Sequence, residues 1–184
     1  MADKSLEGIK IAILATDGVE QVELVEPRKA FNDAGARTTL IAPKPGKIQG
    51  MKHHDKADKL DVDMSLDEAR PEDFDAVLLP GGALNADALR MSEKAREFVR
   101  AMDAAGKPFA IICHAPWLVV SAGLAKGRSM TSYHTIQDDM RNAGANWSDK
   151  EVVIDRNWVM SRQPSDIPAF NREAIKLFGQ NRSK

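Results

Sequence analysis

The stretch Pro108-Phe-Ala-Ile-Ile-Cys-His-Ala-Pro-Trp-Leu-Val-Val120 decides the fold. Its first half, residues 108–113, is a short apolar run, the pattern of a strand covered on both faces. Its second half has a helical pattern that ends near Gly123, and it begins with Pro116, a residue favoured in the first turn of a helix. Cys113 and His114 fall in the sharp bend between the two. This is the geometry of a nucleophile elbow at the carboxyl end of a parallel sheet, the edge where ligands of open α/β sheets gather.

Outward from this stretch the same alternation repeats. Residues 9–15 (Ile-Lys-Ile-Ala-Ile-Leu-Ala), 38–42 and 75–79 read as further strands, the second ended by Pro43 and Pro45, the third by Pro80-Gly81-Gly82. Ala95, Phe98, Val99 and Met102 lie at i, i+3, i+4 and i+7, which predicts a helix over about 92–104 with Ser92 as its cap and Gly106 as its terminator. Phe31 and Ala34 close an earlier helix before Gly35. Pro27 lies within it or at its first turn, so Glu23 falls near its start. A last helix from about Ser165 carries a stripe of Ile167, Phe170, Ala174 and Leu177 and is expected to stop at Gly179. Alternating strands and helices make βαβ units. The expected fold class is α/β: a single domain over 1–184 with a doubly wound, mostly parallel sheet and helices on both faces. Two segments depart from the pattern. Residues 47–62 are highly charged and predict an exposed hairpin. Residues 151–162 turn at 155–157 and predict an antiparallel hairpin at the sheet edge.

Composition limits the function. The 184 residues are 43% hydrophobic and 29% charged, which excludes a disordered chain. Lys plus Arg number 26 and Asp plus Glu 27, so a general electrostatic affinity for nucleic acid or anionic membrane is not expected. No apolar run reaches the ~20 residues of a membrane span. The opening Met-Ala-Asp-Lys-Ser-Leu-Glu lacks the apolar core of a signal peptide, so a cytoplasmic location is expected. The single cysteine, Cys113, excludes an internal disulfide and a multi-cysteine metal site. Adjacent histidines such as His53-His54 rarely converge on one ion, and the charged run 44–59 reads as a solvated face, so neither metal nor cofactor is expected. Trp117, Trp147 and Trp158 read as core or interface residues. His134 would line a pocket or cap the next helix.

Three elements carry chemistry. A thiol at a helix N-terminus faces unpaired N–H groups and the positive end of the dipole, which predicts a Cys113 pKa below the reference of about 8.5. Its plain alternative is a cysteine packed as a small hydrophobe. Gly81 and Gly82, directly after a buried strand, let the backbone approach a ligand, and their N–H groups with those of Cys113 and His114 would form an oxyanion hole. The alternative is a simple Pro-Gly turn. In Glu20-Gln21-Val22-Glu23-Leu24, a carboxyl at the same edge would meet the sulfur and, if buried, stay protonated; otherwise it is a partner for the helix dipole.

Taken in order, Val-Glu-Gln-Val-Glu-Leu (19–24), Leu-Leu-Pro-Gly-Gly (78–82), Gly-Lys-Pro-Phe-Ala-Ile-Ile-Cys-His-Ala-Pro (106–116), Ser-Ala-Gly-Leu-Ala-Lys-Gly-Arg (121–128), Thr-Ser-Tyr (131–133), Asp-Asp-Met-Arg-Asn-Ala-Gly-Ala (138–145) and Asp-Arg-Asn-Trp-Val-Met-Ser-Arg (155–162) resemble the ThiJ/PfpI family, closest to its PfpI branch. The resemblance covers residues 9 to about 178. It implies a flavodoxin-like, class I glutamine-amidotransferase-like domain. It makes Cys113 the nucleophile, His114 its neighbouring acid/base, Glu23 the acid against the sulfur, Gly81 and Gly82 part of the oxyanion hole, and Tyr133 a pocket residue. It also implies a homodimer or a hexamer in which an acid from a neighbouring subunit orients the histidine. Asp87 is the one acid in the matching stretch 83–88. Two positions depart from the family pattern: Ala115 where glycine is common, and Ile111 where a small residue is favoured.

Three functions follow from the resemblance. The first is a stress-protective enzyme acting on reactive carbonyls, a glutathione-independent glyoxalase or a deglycase, with small aldehydes or glycated protein side chains as substrate. The second is an intracellular cysteine peptidase. The third is a peroxide sensor or chaperone that uses the same cysteine without turnover.

Overall fold

Runs of Ile, Leu, Val and Ala separated by amphipathic segments fold into the layered arrangement that their periodicities require. The computed structural model describes residues 4–181; residues 1–3 of the N-terminal segment read above, and 182–184, lie outside the described part. In chain order the elements are β1 (Lys10–Leu14), β2 (Val19–Glu20), α1 (Gln21–Asp33), β3 (Arg37–Ala42), β4 (Lys47–Lys52), β5 (Asp55–Asp61), β6 (Met64–Ser65), β7 (Ala76–Leu79), α2 (Ala83–Met91), α3 (Glu93–Ala104), β8 (Phe109–Ile112), α4 (Pro116–Ser121), β9 (Ser129–Met130), α5 (Gln137–Asn142), β10 (Asn146–Trp147), β11 (Val153–Asp155), β12 (Trp158–Ser161) and α6 (Ile167–Asn181).

Seven strands form the central sheet in the order β11-β12-β8-β7-β1-β3-β6. All neighbours are parallel except β11 and β12, the antiparallel edge hairpin expected over 151–162. Successive side chains of a strand point to opposite faces, so each apolar strand feeds two cores. In β8, Phe109 and Ile111 pack under α2, α3, α4 and α5, while Ala110 and Ile112 pack under α1 and α6. That division is why this strand reads as uninterrupted apolar sequence. Ile111 is one of these core residues, so its bulk is absorbed by the sheet and does not press on the bend.

Helix α3 starts where the sequence placed it, with the Ser92 hydroxyl accepting a hydrogen bond from the Ala95 N–H at 3.2 Å. The charged run folds as the antiparallel pair β4–β5, and β4 also pairs with β2, which docks this hairpin beside the loop that leaves β1. One expectation is corrected. Helix α6 continues through Gly179 to Asn181, and its buried stripe is Ile167, Phe170, Ala174 and Phe178, with Leu177 only partly covered. The 3.6-residue period carries the buried face to Phe178, which packs on Phe31 with ring centroids 5.3 Å apart.

A buried polar cluster ties α3 to the edge hairpin. One Asp103 oxygen accepts from Arg128 at 2.8 Å, from the Asn157 amide at 3.0 Å and from the Trp158 indole at 2.8 Å. The Arg128 guanidinium lies over the Trp158 ring at 3.8 Å. Among the described residues no helix is long and apolar enough to cross a membrane.

Candidate active site

Cys113 follows β8 directly and has φ +65°, the left-handed region that costs an ordinary residue about 1–2 kcal/mol. Two contacts hold it there: its N–H donates to the Ser161 carbonyl at 3.1 Å, and its carbonyl accepts from the Tyr133 N–H at 2.9 Å. The bend is therefore made at the cysteine itself. Ala115 has φ −54° and ψ −29°, ordinary helical geometry, so a methyl group there is accommodated without strain.

Burial brings the other groups to the sulfur. Glu23, in the first turn of α1, is fully buried and accepts the Gly81 N–H at 3.1 Å. A Cβ at Gly81 would stand 2.5 Å from the Glu23 Oε1 and 2.6 Å from the Cys113 Cβ, so glycine alone lets the carboxyl and the cysteine meet. Gly82, at φ +93°, turns its N–H to Cys113. The two glycines thus do different things. Gly81 holds the carboxyl, its N–H being taken by Glu23, and Gly82 faces the sulfur. Asn85, buried on α2, locks this loop: its amide donates to the Pro80 and Gly81 carbonyls at 3.1 and 3.0 Å, and its oxygen accepts the Thr16 N–H at 2.7 Å.

The His114 Nδ1 lies 3.2 Å from the Cys113 Sγ. Its ring stacks on Tyr133, with centroids 4.8 Å apart, and meets the Trp117 ring edge-on at 5.4 Å. Trp117 is itself fixed by a 2.8 Å hydrogen bond to Asp139. The His134 ring lies 4.5 Å from the Tyr133 ring, and His134 opens the short turn that leads into α5. Asp87 is exposed on α2 and does not line the cavity. Among the described residues no carboxylate hydrogen-bonds to His114.

These surroundings set the proton positions. Burial, and secondarily the charge of Glu20, push Glu23 up to about 8, so its carboxyl is neutral at pH 7. Burial, then the charge of His134, lowers His114, which leaves the imidazole neutral and able to accept a proton. The expected drop in the Cys113 pKa is corrected. Burial, and then the Glu23 charge, push the thiol up, against the opposing pull of the Gly82 and His114 N–H groups. The expectation rests on a helix dipole, but α4 is only six residues long, and a cysteine 7% exposed loses more from lost water than so short a helix returns. The thiol nevertheless reaches solvent through a cleft of about 490 Å³.

Cys113, His114, Glu23, Gly82 and Tyr133 all line that cleft, as do Met51, Leu84 and Pro164, for which the sequence gives no sign, and Glu20, His53 and His54, whose place in the cleft it does not reveal. The two histidines occupy the turn of the β4–β5 hairpin, where the His53 N–H donates to the Glu20 carboxylate at 3.1 Å. Nothing in a charged run signals that its turn overhangs a cleft 60 residues away in sequence. Asn85 did leave a signal, a polar residue on the same buried face as Ala86 and Leu89.

Residues 9–177 match the DJ-1/PfpI family. The chain belongs to that family. Among its relatives, the deglycase PfpI of Pyrococcus furiosus is 44% identical over 92% of this chain and 99% of its own length. Protein/nucleic acid deglycase 2 of Escherichia coli is 42% identical over 92% of this chain and 98% of its own. The crystal structure of Drosophila melanogaster DJ-1beta superposes with a TM-score of 0.84 at 27% identity, covering 93% of this chain and 91% of that one. The family assignment and the flavodoxin-like α/β fold expected from the sequence both hold.

Proposed function

We propose that this DJ-1/PfpI chain is a cysteine-dependent deglycase that removes dicarbonyl adducts from side chains and releases lactate. The observation that carries the reading is a thiol held between a neutral carboxyl (Glu23) and a neutral imidazole (His114) at the floor of an open cleft. That pairing suits a reaction in which protons move repeatedly and no net redox change occurs.

In the first step Cys113 Sγ attacks the hydroxyl-bearing carbon of a methylglyoxal adduct, and its proton passes to His114 Nδ1. A C–S bond forms, the bond from that carbon to the carrier breaks, and the carrier leaves with a proton. The enzyme then holds a hemithioacetal, S–CH(OH)–CO–CH3. The C–H proton moves to the adjacent carbonyl carbon by way of an enediol, with Glu23 and His114 exchanging the protons on oxygen, and the product is the isomeric thioester S–CO–CH(OH)–CH3. The Gly82 and His114 N–H groups, which face the sulfur, would donate to the oxyanion that develops on the carbon bound to it. Water cleaves the thioester, giving lactate and restoring the thiol. The sum is adduct plus water giving carrier plus lactate. Free methylglyoxal enters the same sequence at the hemithioacetal, which is the glyoxalase reaction.

The peptidase alternative asks for an acid to orient His114. The outer face of α2, with Leu84 65% and Met91 76% exposed on either side of Asp87, is where a second copy would dock to bring one. The deglycase reading is tested by incubating the protein with the methylglyoxal adduct of N-acetylcysteine and measuring lactate. Release abolished in Cys113→Ala is the expected result; no lactate from the native protein overturns the reading.

A further inference from the structure

The cleft above Cys113 has a neighbour. A second cavity of about 410 Å³ shares Glu20, Met51, His53 and Pro164 with it, so the two lie side by side against these four residues. The annex is lined by Val22 and Val25 of α1, Met51 of β4 and Ala57 of β5. Most polar groups around it are already engaged. The Glu20 carboxylate holds the His53 N–H at 3.1 Å. The Gln21 amide donates to Asp58 at 2.8 Å and accepts the Asp58 N–H at 2.8 Å. The exposed Lys52 ammonium at the rim is the one charge in the lining that these bonds leave over.

Such a wall rewards apolar surface and offers few hydrogen bonds to a sugar or base. A free three-carbon aldehyde fills only the floor of the cleft and never reaches the annex. We infer that the annex is a specificity subsite for an apolar side chain flanking the modified residue, so that the preferred substrate is a peptide-borne adduct with a residue such as leucine beside it. This rests on the reading of Cys113 as the group that acts on adducts.

The test compares lactate release from the methylglyoxal adducts of acetyl-Leu-Cys-amide, acetyl-Gly-Cys-amide and deoxyguanosine monophosphate. The leucyl peptide is expected to exceed the glycyl peptide about tenfold in kcat/KM, the usual reward of a hydrophobic pocket for a few methylenes. In Val25→Asp the ratio is expected to fall to about one. A second readout needs no turnover. In the Cys113→Ala/Ala57→Cys protein the one thiol reports on the annex, and acetyl-Leu-Lys-amide is expected to slow its alkylation while acetyl-Gly-Lys-amide does not. Lactate released equally from both peptides, or faster from the nucleotide adduct, overturns the subsite, as does equal alkylation with either ligand. Protection without any lactate release upholds the subsite and overturns the deglycase reading instead.

Discussion

Replacing Glu23 by Gln isolates the cost of the buried carboxyl. The ordinary carboxyl value is 4.5, and Glu23 stands at about 8 in the fold. A raised acid favours the native state fully below its unfolded value and loses that contribution as pH climbs through the folded value. At pH 7 the native protein binds one proton here that the unfolded chain has released, so stability declines by about 1.4 kcal/mol per pH unit through the window. Integrated between pH 5 and 7 with these two values, the loss is about 2.5 kcal/mol. Glutamine keeps an oxygen for the Gly81 N–H and does not titrate, so its stability lacks this slope. The assay is urea unfolding of both proteins at pH 5, 6 and 7. The difference between them is expected to shift toward the variant by about 2.5 kcal/mol over that range. Parallel curves would refute the reasoning. They would mean that Glu23 is ionised in the fold, so that native and unfolded chains bind equal numbers of protons at this position. Cys113→Ala should retain the slope.

Lactate release should follow a bell-shaped pH profile. The acid limb lies below the usual histidine value, where His114 gains a proton, and the alkaline limb near 8, where Glu23 loses one; Glu23→Gln, which cannot exchange a proton, should be slower, and the activity it keeps should lack the alkaline limb. Gly81→Ala should destabilise the protein by about 1–3 kcal/mol in urea and cost most of the activity, because its Cβ would meet the Ile112 carbonyl at 2.9 Å as well as Glu23 and Cys113. Asp103→Ala should cost about 3 kcal/mol in the same assay, since it removes the 2.8 Å partner of a guanidinium whose side chain is 6% exposed, leaving it the Asp155 carboxylate at 3.9 Å, and also takes the acceptor of the Trp158 indole.

The sheet was legible because β8, β7 and β1 are covered on both faces and so contain no polar residue to interrupt the run beyond Lys10. The bend at Cys113 was legible because a proline follows an apolar strand within four residues. What the sequence hid depends on distances across the fold. The meeting of Glu23 with Gly81 spans 58 positions, and whether burial or the helix end governs the thiol is a matter of how much water reaches it. The end of α6 was misplaced for a different reason. Glycine signals a helix end, but its helix penalty of about 1 kcal/mol is smaller than the gain from burying Phe178 one residue earlier.

The positive φ of Cys113 gives this protein a conflict at a single position. Glycine there would shed roughly 1 kcal/mol of torsional strain and leave the Ser161 and Tyr133 tethers intact, so the backbone alone prefers a residue with no side chain. On the deglycase reading, selection for folding and selection for chemistry therefore pull the same codon in opposite directions. A laboratory screen that rewarded only thermal resistance would be expected to drift toward an inert scaffold by way of this residue.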